Sequence, residues 1–304
     1  MVDKLVTDFI CQRTLSKDME LNEPLYNAIY CLEKANEFIN QACREHEQEL
    51  INNVPWPSMH DMYSRNYEYC CGVLGCFLVG QFPSTEALCR TAIEGAINLH
   101  YVSLGDSMGK QIAYFKSHLA TERKQNLNWR DSIQKSDYPQ EAKDHHFQRI
   151  SDKDVSLGHY ETALRESLAL AGVDFDAVDL KWPSIFDRFK EIGNEVGYRT
   201  VYAALCSQAH NDAEDVLNRI MSRVIGNVSG MEEAQWMEQY NFSLYLLLTA
   251  IDYHIIASAM YIAKFGINAE ALIKIKEKVL DSIIMVTEYG PRLVSERIKI
   301  IENL

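Results

Sequence analysis

Residues 83–105 read PSTEALCRTAIEGAINLHYVSLG, and their pattern decides the fold class. Apolar or small side chains occupy nearly every face at the helical period, interrupted by one polar stripe. Arg90, Glu94, Asn98 and Tyr101 form that stripe, spaced four, four and three apart. At about 100° per residue they fall within a quarter-turn arc. A helix that is apolar all round is a central one, with other helices packed on it. Charges on such a helix must be paired or must line a cleft, because an uncompensated buried charge is costly. The expectation is an all-α fold: a multi-helix bundle around a central buried helix at about 85–104.

Working outward, Gly80 and Gly105 punctuate that helix, and Ser84 or Thr85 is the expected cap. With 14 Gly and 7 Pro in 304 residues, turn signals are sparse, which favours long helices. No segment alternates with period two between turn clusters, as a sheet requires. Before the central helix, residues 1–20 carry apolar Val2, Leu5, Val6, Phe9 and Ile10 at helical spacing. Asn22 and Pro24 open the next helix. NNVPWP at 52–57 is a break, after which Ser58 caps a helix over 59–79.

After the central helix, a more polar helix is expected from Ser107 to Gln134 and another from Ser151 to Ala171. The charged residues 135–150 between them read as a mobile connection. Helices at 184–192, from Tyr198 to His210, from Asn211 or Asp212 to about Val224, at 232–265 and at 268–288 follow, the one at 268–288 stopped by Tyr289-Gly290-Pro291 before a last charged helix. The whole reads as a single all-helical domain over 1–304, with N-terminal helices at 1–57.

The net charge of −13 argues against broad nucleic-acid binding, which rests on neutralising phosphates. Arg123, Lys124 and Arg130 read as a solvated face, and His145-His146 as surface bystanders. The N-terminus has acids early and no long apolar core, unlike a signal peptide. Residues 242–263, FSLYLLLTAIDYHIIASAMYIA, are long enough to cross a bilayer, but Asp252 and His254 sit near their middle. They read as the buried helix of a soluble, cytoplasmic protein with no membrane partner. None of the eight cysteines forms a CxxC pair. They read as small buried hydrophobes in a reducing compartment. The chain lacks GxGxxG, GxxxxGK[ST] and HExxH, so no cofactor and no metal are expected.

A second stripe completes the candidate site. Tyr198, Tyr202, Cys206 and His210 repeat every four residues on one helix, with His210 beside a chain break. If the stripes meet, Arg90 holds a phosphate or carboxylate, His210 moves a proton, and Glu94 orients either one. Arg90, Glu94 and His210 are thus the catalytic candidates, with Asn98, Tyr101, Tyr202 and Cys206 as ligand-binding candidates. The competing reading is a buried polar network that specifies helix packing.

Arg90 to Asn98 (RTAIEGAIN) and Tyr202 to Asn211 (YAALCSQAHN) together resemble an uncharacterised bacterial all-helical family with R-x3-E and Y-x2-L-[SC]-x3-H helices. More distantly, the pattern is similar to the HEPN superfamily, many of whose members are RNases of toxin and phage-defence systems. That resemblance implies a homodimer and metal-independent RNA cleavage through an arginine–histidine motif. No arginine lies four to six residues before His210, and Arg199 lies eleven before, so the role would pass to Arg90. Two functions remain: a ligand- or partner-binding module taking RNA or a small anionic ligand, and a HEPN-like ribonuclease or other phosphate-directed enzyme.

Overall fold

The computed structural model describes residues 22–203, 205, 217 and 231–302, with side chains from 237 to 288 in the last segment. The described residues are mostly helical, with one longer connection at 171–184, and contain no strand. In chain order the helices are α1 (Glu23–Glu45), α2 (Glu47–Ile51), α3 (Trp56–Leu78), α4 (Phe82–Ser103), α5 (Ser107–Lys135) and α6 (Gln140–Leu170). Then come α7 (Ile185–Glu191), α8 (Glu195–Gly197), a π-turn (Tyr198–Tyr202), α9 (Met231–Lys264) and α10 (Glu270–Glu302). The chain divides into two compact units: Gly105–Ser184, and the segments on either side of it.

In the larger unit α4 packs against α3 and α9, and α9 also packs against α3, α10 and α1. The expected central helix is therefore central, but it shares that place with α9. Cys89, Ala92, Ile93, Ala96, Ile97 and Leu99 of α4 are sealed from solvent, as are Leu247, Leu248, Ala250, Ile251 and Ile255 of α9. Each large aliphatic side chain so buried contributes roughly 1.5–3 kcal/mol. The exposed side of α4 is its early face, Pro83, Ser84, Ala87 and Thr91. Gly80 and Gly105 flank the helix with φ of 72° and 62°, the left-handed conformation that lets the chain leave without a Cβ penalty.

The smaller unit is an antiparallel hairpin of α5 and α6 closed by residues 171–184. Its core gathers Ile112, Leu119, Leu157, Leu168 and Phe175. Lys116 and Arg165 both lie over the Phe175 ring, at 4.8 and 4.4 Å from its centroid. Ion pairs line the seam: Arg123 with Glu161, Lys153 with Glu122 at 2.6 Å and Arg130 with Asp154 at 3.4 Å. Arg123 and Arg130 thus carry carboxylate partners, in keeping with a solvated face. His146 packs against the rings of Trp129 and Tyr138.

Several boundaries depart from the sequence reading. α6 starts at Gln140, not Ser151, so residues 140–150 are helical and only 136–139 link the pair. Antiparallel pairing with α5 supplies the reason: Ile150 is fully buried in the hairpin. α3 begins before Ser58, whose hydroxyl donates to the Pro55 carbonyl instead of capping. α4 begins at Phe82, so Ser84 and Thr85 lie inside it, and the Thr85 hydroxyl donates back to the Gln81 carbonyl at 3.0 Å. α10 runs through Gly290 and Pro291 to Glu302, where a stop was expected. One missing amide donor is tolerated inside so long a helix. Asn22 does cap α1, accepting from the Leu25 amide at 3.0 Å.

Candidate functional site

Glu94 is the hub of a polar cluster on the larger unit. The Tyr202 hydroxyl donates to Glu94 Oε2 at 2.6 Å. Arg188 Nη2 lies 3.8 Å from Glu94 Oε1. The Arg90 guanidinium sits 5.7 Å from the centroid of the Tyr202 ring, within cation–π range. Arg188 is almost sealed, with a side chain 5% exposed, whereas that of Glu94 is 40% exposed. The cluster is rooted in the core and open to water at its carboxylate.

Three elements position these groups. α4 presents Arg90 and Glu94 one turn apart, as the stripe required. α7 brings Arg188 beside buried Phe189, whose ring packs on those of Tyr198, Tyr202 and Tyr253. The π-turn carries Tyr198 and Tyr202, stacked with centroids 5.7 Å apart and planes 28° apart. A π-turn is a rare local widening of a helix, frequent at functional sites. Its entry is pinned from α9: Asn194 Nδ2 donates to the Tyr253 hydroxyl at 2.8 Å, and Asn194 Oδ1 accepts from the Gly197 amide. A Cβ on Gly197 would fall 2.1 Å from the Tyr253 hydroxyl, so only glycine allows this approach. Gly197 is thus part of a helical turn.

Burial raises the Tyr202 phenol well above its ordinary pKa; the Glu94 hydrogen bond adds to the shift and Arg90 opposes it. The phenol therefore stays protonated and donates. Burial also raises that of Tyr101, which is 2% exposed, with Glu191 adding and Arg188 opposing. Asn98 Oδ1 is buried without a hydrogen-bond partner among the described residues.

The structure thus brings together Arg90, Glu94 and Tyr202, with Tyr101 buried and influenced by Arg188. Cys206 and His210 lie outside the described residues. Sequence reasoning missed Arg188, Asn194 and Tyr253. The signal for Arg188 was its place directly before Phe189 in a short amphipathic helix, IFDRFKE. The chain belongs to DUF5677, a family of unknown function. The match spans residues 59–225. No curated protein and no solved structure matches the chain. The DUF5677 match takes in Arg90, Glu94, Asn98, Tyr101, Arg188, Tyr202, Cys206 and His210, so every group of the cluster lies inside it.

Other polar features differ in kind. His254 of α9 is fully buried and meets Asn66 Nδ2 at 3.0 Å through Nδ1. Burial pushes its pKa down to about 4, so it is neutral. Asp252, also on α9, lies 3.8 Å from Lys276, and burial raises its pKa to about 6. Among the described residues no three His, Cys, Asp or Glu side chains gather as a metal would need. The described cysteines are free. Burial raises the Cys70 and Cys89 thiols, which makes them poor nucleophiles. A cleft of about 390 Å³ in the hairpin unit is lined by Arg165, Val173, Asp174 and Phe175. Its arginine is already held by Glu161 and Asp176.

Proposed function

We propose that the chain is a ligand-binding module whose site is the Arg90–Glu94–Arg188–Tyr202 cluster. One observation carries this reading: a nearly sealed arginine and a phenol lying under a second guanidinium meet at a carboxylate that stays open to water. A purely structural network gains most when all its members are enclosed and satisfied. Holding charged groups at a solvent-facing edge supplies little stability, because exposed ion pairs contribute about 0–1 kcal/mol. It does supply recognition, since guanidinium groups suit phosphate and carboxylate.

The same proposal has the chain soluble and cytoplasmic. Its support is that 83% of the apolar window in Met237–Lys264, the one candidate span among the described residues, is buried within the protein. The bacterial origin and the homodimer rest on the family resemblances alone.

The test is calorimetric titration of the purified full chain with inorganic phosphate, nucleoside monophosphates and a single-stranded RNA. Binding that is lost in Arg90→Ala, with an unchanged helical circular dichroism spectrum, supports the site. Absence of binding across the panel removes it. Incubating the RNA with wild type and His210→Ala decides the HEPN-like alternative. Cleavage lost in the variant makes the protein a ribonuclease, and intact RNA in both leaves the binding module.

A further inference from the structure

Resting on that reading, the ligand class follows from what already occupies the carboxylate. We propose that Tyr202 is an internal occupant of the site and that a guanine base takes its place.

The phenol of Tyr202 meets the surroundings a base-recognising site supplies. Its ring lies under the Arg90 guanidinium at 5.7 Å, stacks with Tyr198 and packs on Phe189 at 5.6 Å. Its polar edge reaches a carboxylate oxygen at 2.6 Å. Aromatic and guanidinium surfaces hold planar bases without choosing among them, and the acceptor at the ring edge makes the choice. Here that acceptor is a carboxylate with one oxygen engaged. Among the described residues Arg188 is the group at the other oxygen, Oε1, at 3.8 Å, outside hydrogen-bond length, which lets Oε1 accept a second donor.

Guanine presents N1–H and the 2-amino N–H side by side on one edge, matched to both oxygens of a carboxylate. It replaces one charge-assisted bond with two. Adenine presents a ring-nitrogen acceptor beside its amino group, which would face a carboxylate oxygen and repel it. The site therefore favours guanine over adenine. Tyr202 closes the π-turn, and a return of that turn to α geometry by one residue would rotate the side chain by about 100°, out of the slot.

A guanine can come from a free nucleotide or from single-stranded RNA. The experiment uses the full chain with guanosine monophosphate, adenosine monophosphate and two short RNAs that differ in one guanine. Wild type is compared with Tyr202→Phe and Glu94→Gln. The expected results are guanosine monophosphate bound about tenfold more tightly than adenosine monophosphate, and a further gain of about threefold in Tyr202→Phe, which keeps the ring but frees the carboxylate. In Glu94→Gln the preference falls to about twofold or less while both nucleotides still bind. A guanine RNA binding more tightly than the monophosphate assigns the source to RNA, and equal affinity assigns it to the nucleotide. Equal affinity of wild type for the two monophosphates overturns the guanine assignment and leaves the anion site standing. Binding of neither monophosphate, with inorganic phosphate also failing to bind, removes both.

Discussion

Two adjacent residues of α4 lead to opposite kinds of polar structure. Glu94 faces the Arg188–Tyr202 cluster and opens to water. Gly95 faces α3, and its bare Cα admits the Asn66 side chain that meets His254 in the sealed core. The core pair is neutral, enclosed and stacked on by Tyr63, whose ring lies 5.4 Å from that of His254. The cluster is charged and has an open edge. A polar group in the core must be fitted closely because water cannot rescue it, whereas one at an edge keeps solvent as an alternative partner. Substitutions on the two sides should therefore differ in size, and that difference is what breaks or sharpens the comparison.

The largest effect is expected from Gly95→Ala. The new Cβ would stand 2.4 Å from Asn66 Oδ1, on a side chain that is 1% exposed, so the amide must shift within the core. Displacing Asn66 separates it from His254, and the loss in denaturant unfolding should be about 2–4 kcal/mol. A change below about 0.5 kcal/mol, the range of ordinary surface substitutions, would mean the sealed pair is not rigid.

Next is pH. His254 has a folded pKa of about 4 against an ordinary 6.5, so the unfolded chain binds its proton more readily. Its contribution is complete above pH 6.5 and is lost as pH falls towards 4, on the order of 3 kcal/mol. His254→Gln should remove that slope from a series of unfolding curves. A slope unchanged by the substitution assigns acid lability elsewhere.

Asp252 has the opposite sign. Its folded value of about 6 lies above the ordinary 3.8, so its favourable contribution is present below 3.8 and gone once pH rises past 6. Asp252→Asn should stabilise the protein at pH 7.5 by about 1–3 kcal/mol and have little effect at pH 4. Thermal melts at both values check it, and equal shifts at the two would contradict the assignment.

The smallest effect belongs to the open side. Tyr202→Phe removes the donor to Glu94, but that carboxylate is 40% exposed and can hydrate. The expected loss is about 1 kcal/mol or less. A loss matching Gly95→Ala would make the cluster a structural network and count against the proposed site.

Legibility followed the same division. The stripe of Arg90, Glu94, Asn98 and Tyr101 was visible because helical spacing alone puts four side chains on one face. The Asn22 cap and the glycine stops were visible because they are local chemistry. Arg188 was not visible as a site residue, since nothing in IFDRFKE says which helix it meets. The helix over 140–150 was hidden for a similar reason. Its sequence is charged, and only pairing with α5 gives Ile150 a place to be buried. Asp252 and His254 were conspicuous, but spacing could not tell that one faces Lys276 and the other Asn66.

By itself the sequence determined the all-helical class, the central place of the segment around 85–104, and the half of the polar cluster carried on that helix. These depend on periodicity and caps, which act over a few residues. Only the tertiary structure decided that Arg188 and Tyr202 complete the cluster and that α9 shares the core with α4. It also decided that Gly95 exists to admit Asn66. Those are contacts between residues roughly a hundred or more apart, or a fit of one side chain against another backbone. They are set by how helices pack, and no local pattern encodes that.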